Sequence, residues 1–337
     1  MLFELPSFDH VDVNSVAEAL SFLNRFGEKV RIIGGGTDLL GLMKDRISIP
    51  EVLIKIKSIP GMTEIAYDAG RGLRMGAAVT LEQLITSDII AREFSLIYQA
   101  ARHVGTTQLR FMGTIGGNLC QRPRCLYFRH PDFRCHKKGG TACYAVAGEH
   151  RYYHSILKNG KCVAAHPSDL APALLALKAR AVILSPKGER EVPLQEFFVG
   201  PDHLTETLLK SDELLVEVRV PIQGEGSHQI FLKRRIRHSA DFALVSVAVA
   251  AEMRDRVCRD IRIALGGVAP YPLRMAEAET VARGKSLNVE IISEVAEASV
   301  KGARPLQMNG YKVDLTKTLV RHALTSLWQD SKRSQKS

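Results

Sequence analysis

Five of the chain's six cysteines fall between positions 120 and 162: Cys120, Cys125, Cys135, Cys143 and Cys162, with Cys258 alone outside. In a reducing compartment such bunching argues for metal or cluster ligation rather than disulfides. His130, His136, His150, His154 and His166 share the same stretch, so a structural zinc site competes with an iron–sulfur cluster. There is no C-x2-C knuckle and the histidines have no paired spacing. The residues alone leave both chemistries open.

Two glycine-rich runs point to a second chemistry. Gly34-Gly35-Gly36-Thr37-Asp38-Leu39 follows a β-branched run at 29–33, and Gly113-Thr114-Ile115-Gly116-Gly117-Asn118 follows a helical pattern. Without a Cβ, backbone N–H groups approach an anion closely and positive φ is free. Thr37 adds a hydroxyl donor, and the start of the next helix adds partial positive charge. The dinucleotide fingerprint G-x-G-x-x-G is not met, because Leu39 occupies its third glycine position. Two such cradles suit a ligand with two phosphates, and Asn118 offers an amide to phosphate or ribose. Two ordinary turns are the plain alternative.

The elements that must hold these loops alternate between helix and strand. Helical spacing covers 13–26 (Val16, Ala19, Leu20, Leu23), strands are expected at 29–33 and 52–56, and a helix at 39–44 lies between them. A strand at 73–77 leads to a helix capped by Thr80, with Gln83 as capping-box partner. A helix at 94–103 follows, and periodicity is lost over 120–166. Residues 169–177 form a buried-looking helix with Pro172 in its first turn. Strands are expected at 181–185, 214–220, 243–253 and 261–265, and helices at 276–283, 291–303 and 315–328. The polar run 223–227 reads as a linker and 331–337 as a frayed tail.

With 337 residues, 45% hydrophobic and 24% charged, the chain has material for more than one core. No apolar run approaches the ~20 residues of a membrane span, and the first residues lack a secretory pattern. The reading is a soluble, cytoplasmic protein with no membrane and no nucleic-acid partner: no nucleic-acid module accompanies the net charge of +10. Nor is there a nucleophile–base pair or carboxylate dyad, so no catalytic residue is assigned and cofactors must carry the chemistry.

The segments RIIGGGTDLL, MGAAVTLEQL, QLRFMGTIGGNL, HPSDLAPALLALKA, EFFVGPDHLTETLLKSDELLVEVRVP, FLKRRIRHSADFALVSVAVA and IRIALGGVAPYPLRMAEAE occur in order across about residues 1 to 325. Together they resemble the FAD-binding subunit of the molybdenum hydroxylases, the xanthine dehydrogenase family. The resemblance implies an α+β chain: a vanillyl-alcohol-oxidase-like (PCMH-type) FAD-binding fold of two α/β subdomains, 1–58 and 59–222. A C-terminal α+β domain of the carbon monoxide dehydrogenase flavoprotein type, 227–328, and a tail, 329–337, follow. It also implies that Ile33, Gly34, Gly35, Gly36, Thr37, Asp38 and Leu39 hold FAD with Thr107, Gly113, Thr114, Ile115, Gly117 and Asn118. Asp169 would serve the adenosine end, Leu215 would pack near the isoalloxazine, and Lys233 would lie close to the ring. The plain alternatives are a helix cap for Asp169, a core position for Leu215 and a solvated basic run for Lys233.

In the family pattern the second glycine loop is followed within a few residues by the segment that HPSDLAPAL resembles. Here an insertion of about 40 residues, 120–166, intervenes, and irregular loops of that length usually have a function. The insertion resembles that of the β subunit of 4-hydroxybenzoyl-CoA reductase, whose flavin subunit carries an extra [4Fe–4S] cluster. The implied ligands are Cys125, Cys135, Cys143 and Cys162, spaced C-x9-C-x7-C-x18-C, with Cys120 and Cys258 excluded. The implied partners are a molybdopterin-containing large subunit, a [2Fe–2S] small subunit and a ferredoxin-like donor. Arg122, Arg124, Arg129, Arg134, Lys137 and Lys138 would steer that acidic donor, the alternative being that Arg122 and Arg124 contact FAD phosphates or partner subunits. The alternatives are a flavin subunit of an oxidative xanthine or aldehyde dehydrogenase and, in another class, a zinc-stabilised nucleotide-binding module.

Overall fold

A computed structural model describes residues 4–224, 227–237, 240–254 and 257–333. Three sheets organise the chain. The first is parallel, with β1 (Asp9–Asp12), β2 (Val30–Ile33) and β3 (Val52–Lys55) in the order β1-β3-β2. The helix Val16–Phe26 joins β1 to β2. Ser15 caps it by accepting from the Glu18 amide, and it buries Ala19 and Leu23.

The second sheet is antiparallel and runs β4-β5-β8-β6-β7: β4 (Ile65–Asp68), β5 (Gly72–Gly76), β6 (Arg180–Ser185), β7 (Gly188–Pro193) and β8 (Leu214–Val220). β8 is the central strand and pairs with β5 and β6, so the segment 77–179, which carries a helical block and the cysteine insertion, leaves and re-enters the middle of the sheet. Thr80 and Gln83 form the expected capping box, with the Thr80 amide 2.8 Å from Gln83 Oε1 and the Gln83 amide 3.2 Å from Thr80 Oγ1.

The third sheet, antiparallel β12-β11-β10-β9, comprises β9 (Ser227–Arg234), β10 (Val245–Arg254), β11 (Val257–Gly266) and β12 (Leu273–Arg274). It is covered on both faces, so β10 reads as one apolar run with the sizes of its residues alternating. Ala248 and Ala250 face the main core beside the helices Ser95–Arg102 and Leu170–Ala176, while Val245, Val247 and Val249 face a second core under the C-terminal helices. Those helices are Ala276–Ala282, Val289–Ala298 and Tyr311–Arg333.

Besides the helix expected at 291–303, which spans Val289–Ala298, three departures from the sequence reading stand out. The last helix begins at Tyr311 and runs into the expected tail, because Leu319, Val320, Ala323, Leu324 and Leu327 give it a continuous buried stripe; positions 334–337 lie outside the described residues. The expected linker is reduced: Ser227 already belongs to β9, and Glu225 and Gly226 lie outside the described residues. The second glycine run is not a simple loop but opens a one-turn helix, Ile115–Leu119, because Thr114 Oγ1 accepts the Gly117 amide at 3.1 Å.

Candidate functional site

The two glycine runs, about 80 residues apart in sequence, lie against each other. A Cβ built on Gly35 would stand 1.9 Å from the Met112 carbonyl oxygen, and one on Gly34 would stand 2.7 Å from Thr114 Oγ1. Gly36 takes φ +70°, which turns the chain into the helix Leu39–Lys44. The second run is anchored on the segment after β5: the Ile115 amide donates to the Val79 carbonyl at 2.9 Å and the Gly116 amide to that of Ala77 at 2.8 Å. The glycines are therefore needed first so that the protein's own backbones can approach. Thr37, Thr107 and Gly117 are left exposed, flanked by the exposed apolar side chains Leu109, Phe111 and Met112. Thr107 lies in the helix Thr107–Met112. A polar backbone cradle with an apolar margin fits a dinucleotide that carries a ring.

Asp169 and Lys233 meet directly, with Oδ2 and Nζ 2.6 Å apart and side chains 4% and 1% exposed. Lys233 Nζ also donates to the His103 carbonyl at 2.9 Å. Burial pushes the Asp169 carboxyl up, and the adjacent Lys233 ammonium works against that push. Asp169, expected at the adenosine end, and Lys233, expected close to the ring, thus lie in direct contact. Lys233 is also no solvated run. Asp169 Oδ1 is buried without a hydrogen-bond partner, which leaves one acceptor for a ligand. Asn118 is buried, and its Oδ1 accepts from Ser168 Oγ at 2.5 Å, tying the second glycine run to the Asp169 helix. Leu215 is buried on β8 opposite Ile183, beside equally buried Leu214, in the main core. Ile33 and Leu39 are half-buried at the two ends of the first run.

The insertion gathers its cysteines. Cys125, Cys135, Cys143 and Cys162 all line one cavity, closed by Tyr127, Phe128, Ala145 and Ala164. Cys125 begins the one-turn helix Leu126–Arg129, and Cys135 begins the 3-10 turn His136–Lys138. Burial pushes the Cys125 thiol up to about 11 and that of Cys162 to about 12. Such thiols stay protonated at neutral pH unless a metal takes the sulfur. Cys120 lies outside the cavity, and Cys258 is buried in the third sheet with its Sγ directed at the Asp260 carbonyl.

Among the described residues, no three His, Cys, Asp or Glu side chains gather closely enough for a single metal ion. Of the histidines in this stretch, buried His154 has both ring nitrogens without a hydrogen-bond partner, whereas others are engaged elsewhere. His150 Nδ1 lies 2.7 Å from the Ala145 carbonyl and its Nε2 accepts the Met308 amide at 2.9 Å. His166 Nδ1 accepts the Ser168 amide at 3.3 Å.

The cations of the insertion, expected to face a partner, mostly turn inward. Arg122 and Lys137 pair with buried Glu206 at 2.7 and 3.1 Å, and Arg124 and Arg129 pair with Asp38 at 2.9 and 2.6 Å. Lys138 donates to the His130 carbonyl, which leaves Arg134 exposed. A loop without a large core of its own is held by ion pairs to both neighbours. On the C-terminal side Lys312, fully buried, donates to the carbonyls of Tyr152, His154 and Gly267. Sequence reasoning passed over Asp38 as an ion-pair hub, and over Glu206 and Lys312, because none stands in a motif. Nothing local signals a partner more than 60 residues away.

Residues 6–223 match the family model described as the FAD binding domain in molybdopterin dehydrogenase, and residues 231–327 match the CO dehydrogenase flavoprotein C-terminal domain. The chain belongs to this family: it is the FAD-binding medium subunit of a molybdenum hydroxylase-type oxidoreductase, with the mixed α/β architecture expected. It is 34% identical over 318 residues to the FAD-binding subunit of an aldehyde oxidoreductase of Escherichia coli, covering 93% of this chain and 96% of that one. It is 29% identical to the medium chain of carbon monoxide dehydrogenase of Hydrogenophaga pseudoflava, covering 96% and 98%. A solved carbon monoxide dehydrogenase of Hydrogenophaga pseudoflava superposes with a TM-score of 0.77 at 28% identity, covering 97% of this chain and 99% of that one. Among the described residues no helix is long and apolar enough to cross a membrane.

Proposed function

We propose that this chain is the FAD- and [4Fe–4S]-bearing electron-transfer subunit of its complex, working beside a molybdopterin-containing large subunit and a [2Fe–2S] small subunit. The observation that carries the reading is the convergence of Cys125, Cys135, Cys143 and Cys162 on one cavity. A cubane cluster bound there and a flavin at the glycine runs would supply a link between two-electron and one-electron partners. The protein's part is to bind and orient. The first glycine run, braced against the second, presents backbone to the pyrophosphate, buried Asp169 keeps a free acceptor, and the four cysteines supply sulfur. Lys137, its side chain 6% exposed, borders the cavity and offsets thiolate charge.

Each of the variants Cys125→Ala, Cys135→Ala, Cys143→Ala and Cys162→Ala should lose iron and sulfide in anaerobically purified protein. Cys120→Ala and Cys258→Ala should keep about four irons per chain. Stoichiometric zinc in place of iron, or full iron in all six variants, overturns the reading.

For the complex as a whole, the relationship to an aldehyde oxidoreductase subunit favours oxidation, with electrons leaving through this chain. The second reading, reductive dehydroxylation of 4-hydroxybenzoyl-CoA fed by a ferredoxin-like donor, is favoured by the cysteine-bearing insertion. The assembled complex should oxidise aldehydes with an artificial acceptor under the first reading. Under the second it should consume the aromatic thioester only with a reduced donor.

A further inference from the structure

Arg124 stands one residue before Cys125 and reaches both flavin loops. Its Nη2 lies 2.9 Å from Asp38 Oδ1 in the first loop. The same nitrogen donates to Gln121 Oε1 at 2.9 Å, and Gln121 Nε2 donates to the Asn118 carbonyl of the second loop, also at 2.9 Å. The guanidinium sits 4.5 Å from the Phe242 ring centroid, and its Nε is buried without a partner. Asp38 also accepts the Arg122 amide at 2.8 Å and Arg129 Nη2 at 2.6 Å, and Arg129 ends the helical turn that Cys125 begins. No slack segment lies between the cysteine cavity and the cradle.

The charges give this arrangement a consequence. A carboxylate in a phosphate-binding loop repels an anionic ligand, and two guanidiniums beside it cancel that repulsion. Both guanidiniums belong to the stretch of backbone that Cys125 anchors.

We propose that Arg124 is a positioning residue that couples occupancy of the cysteine cavity to flavin affinity. Ligation of Cys125 fixes the backbone from which Arg124 holds Asp38 and the Gln121–Asn118 contact, and through them both flavin loops. This rests on the iron–sulfur reading of the cavity. Coupling is reciprocal, so flavin binding also strengthens cluster retention by the same factor.

The test measures the FAD dissociation constant and the iron content of the full chain, purified without oxygen, in a cycle of Cys143→Ala, Arg124→Met and the double variant. Cys143 is chosen because it touches neither loop. Cys143→Ala should lose the cluster and weaken FAD binding about tenfold, within the range of ordinary coupling between sites. Arg124→Met should weaken it about as much while iron stays near the wild-type content. In the double variant cluster loss should add less than twofold. Arg124→Lys, which keeps the charge beside Asp38, should recover part of the affinity.

Full additivity in the double variant overturns the proposal, as does wild-type flavin affinity in Arg124→Met. If Arg124→Met proves unfolded, Arg124→Lys with Cys143→Ala runs the same cycle. Failure of the iron–sulfur reading shows separately, as absence of iron from the wild-type chain, and the coupling falls with it.

Discussion

Replacing Lys233 by Met removes one partner from an ion pair that is almost wholly out of water. With Nζ and Oδ2 at 2.6 Å and both side chains at least 96% buried, Asp169 would be left as a carboxylate without its paired cation. Breaking a buried pair from one side costs about 3–5 kcal/mol. Asp169→Asn should cost less, about 1–3 kcal/mol, because Lys233 keeps the His103 carbonyl. The double variant Lys233→Met/Asp169→Asn should fall short of the sum of the single losses by about 2 kcal/mol, since neither charge then remains to be compensated. Urea unfolding of the flavin-free chain at pH 7 measures each cost.

The pH dependence has a definite sign. Without Lys233 the interior favours the protonated acid, so the folded carboxyl value of Asp169 rises further above its unfolded one. The penalty is present above that folded value and fades as pH falls toward the ordinary Asp range near 3.9. The gap between Lys233→Met and the wild type should therefore narrow on acidification. A gap below 1 kcal/mol at pH 7 that does not change with pH would refute the argument that this pair is a buried, mutually dependent unit.

Gly35→Ala and Gly116→Ala, whose new Cβ atoms would stand 1.9 and 2.8 Å from backbone carbonyls, should each weaken FAD binding more than tenfold, whereas Gly200→Ala, which meets nothing within 4 Å, should not. Equal flavin occupancy in all three would remove the cradle from these loops. Burial pushes His154 down to about 4 and His166 to about 3, so both stay neutral in the fold while the unfolded chain takes up protons below about 6.5. Stability should fall by about 2 kcal/mol per histidine between pH 7 and pH 5, and His154→Asn and His166→Asn should each flatten that slope; an unchanged slope in both counts against neutral burial. Thr80→Ala should cost about 1 kcal/mol through the lost cap, read as a shift in the denaturation midpoint. The isolated chain should reduce or oxidise artificial dyes only, and turnover of an aldehyde or an aromatic thioester by this chain alone would overturn its standing as a subunit.

Some features are legible because their physics is local. Helix caps, the βα alternation and the glycine turns each depend on residues three or four apart, so Thr80 with Gln83 and the run 34–39 announce themselves in the sequence. The cysteine cluster is legible by density, since five thiols in one irregular stretch have few other uses. The family segments supplied the flavin reading where G-x-G-x-x-G was absent.

What only the tertiary structure decides is which distant groups meet. Asp38 reads as part of a phosphate loop, yet its carboxylate is taken by Arg124 and Arg129 from the insertion. Asp169 and Lys233 lie 64 residues apart in sequence, and only the fold brings them together as a buried ion pair. Glu206 carries no signal at all until the fold sets Arg122 and Lys137 on either side of it. The reason is common to all three. A buried charge must find an opposite charge wherever the topology brings one near, and that choice depends on how the sheets and the insertion pack, not on spacing along the chain.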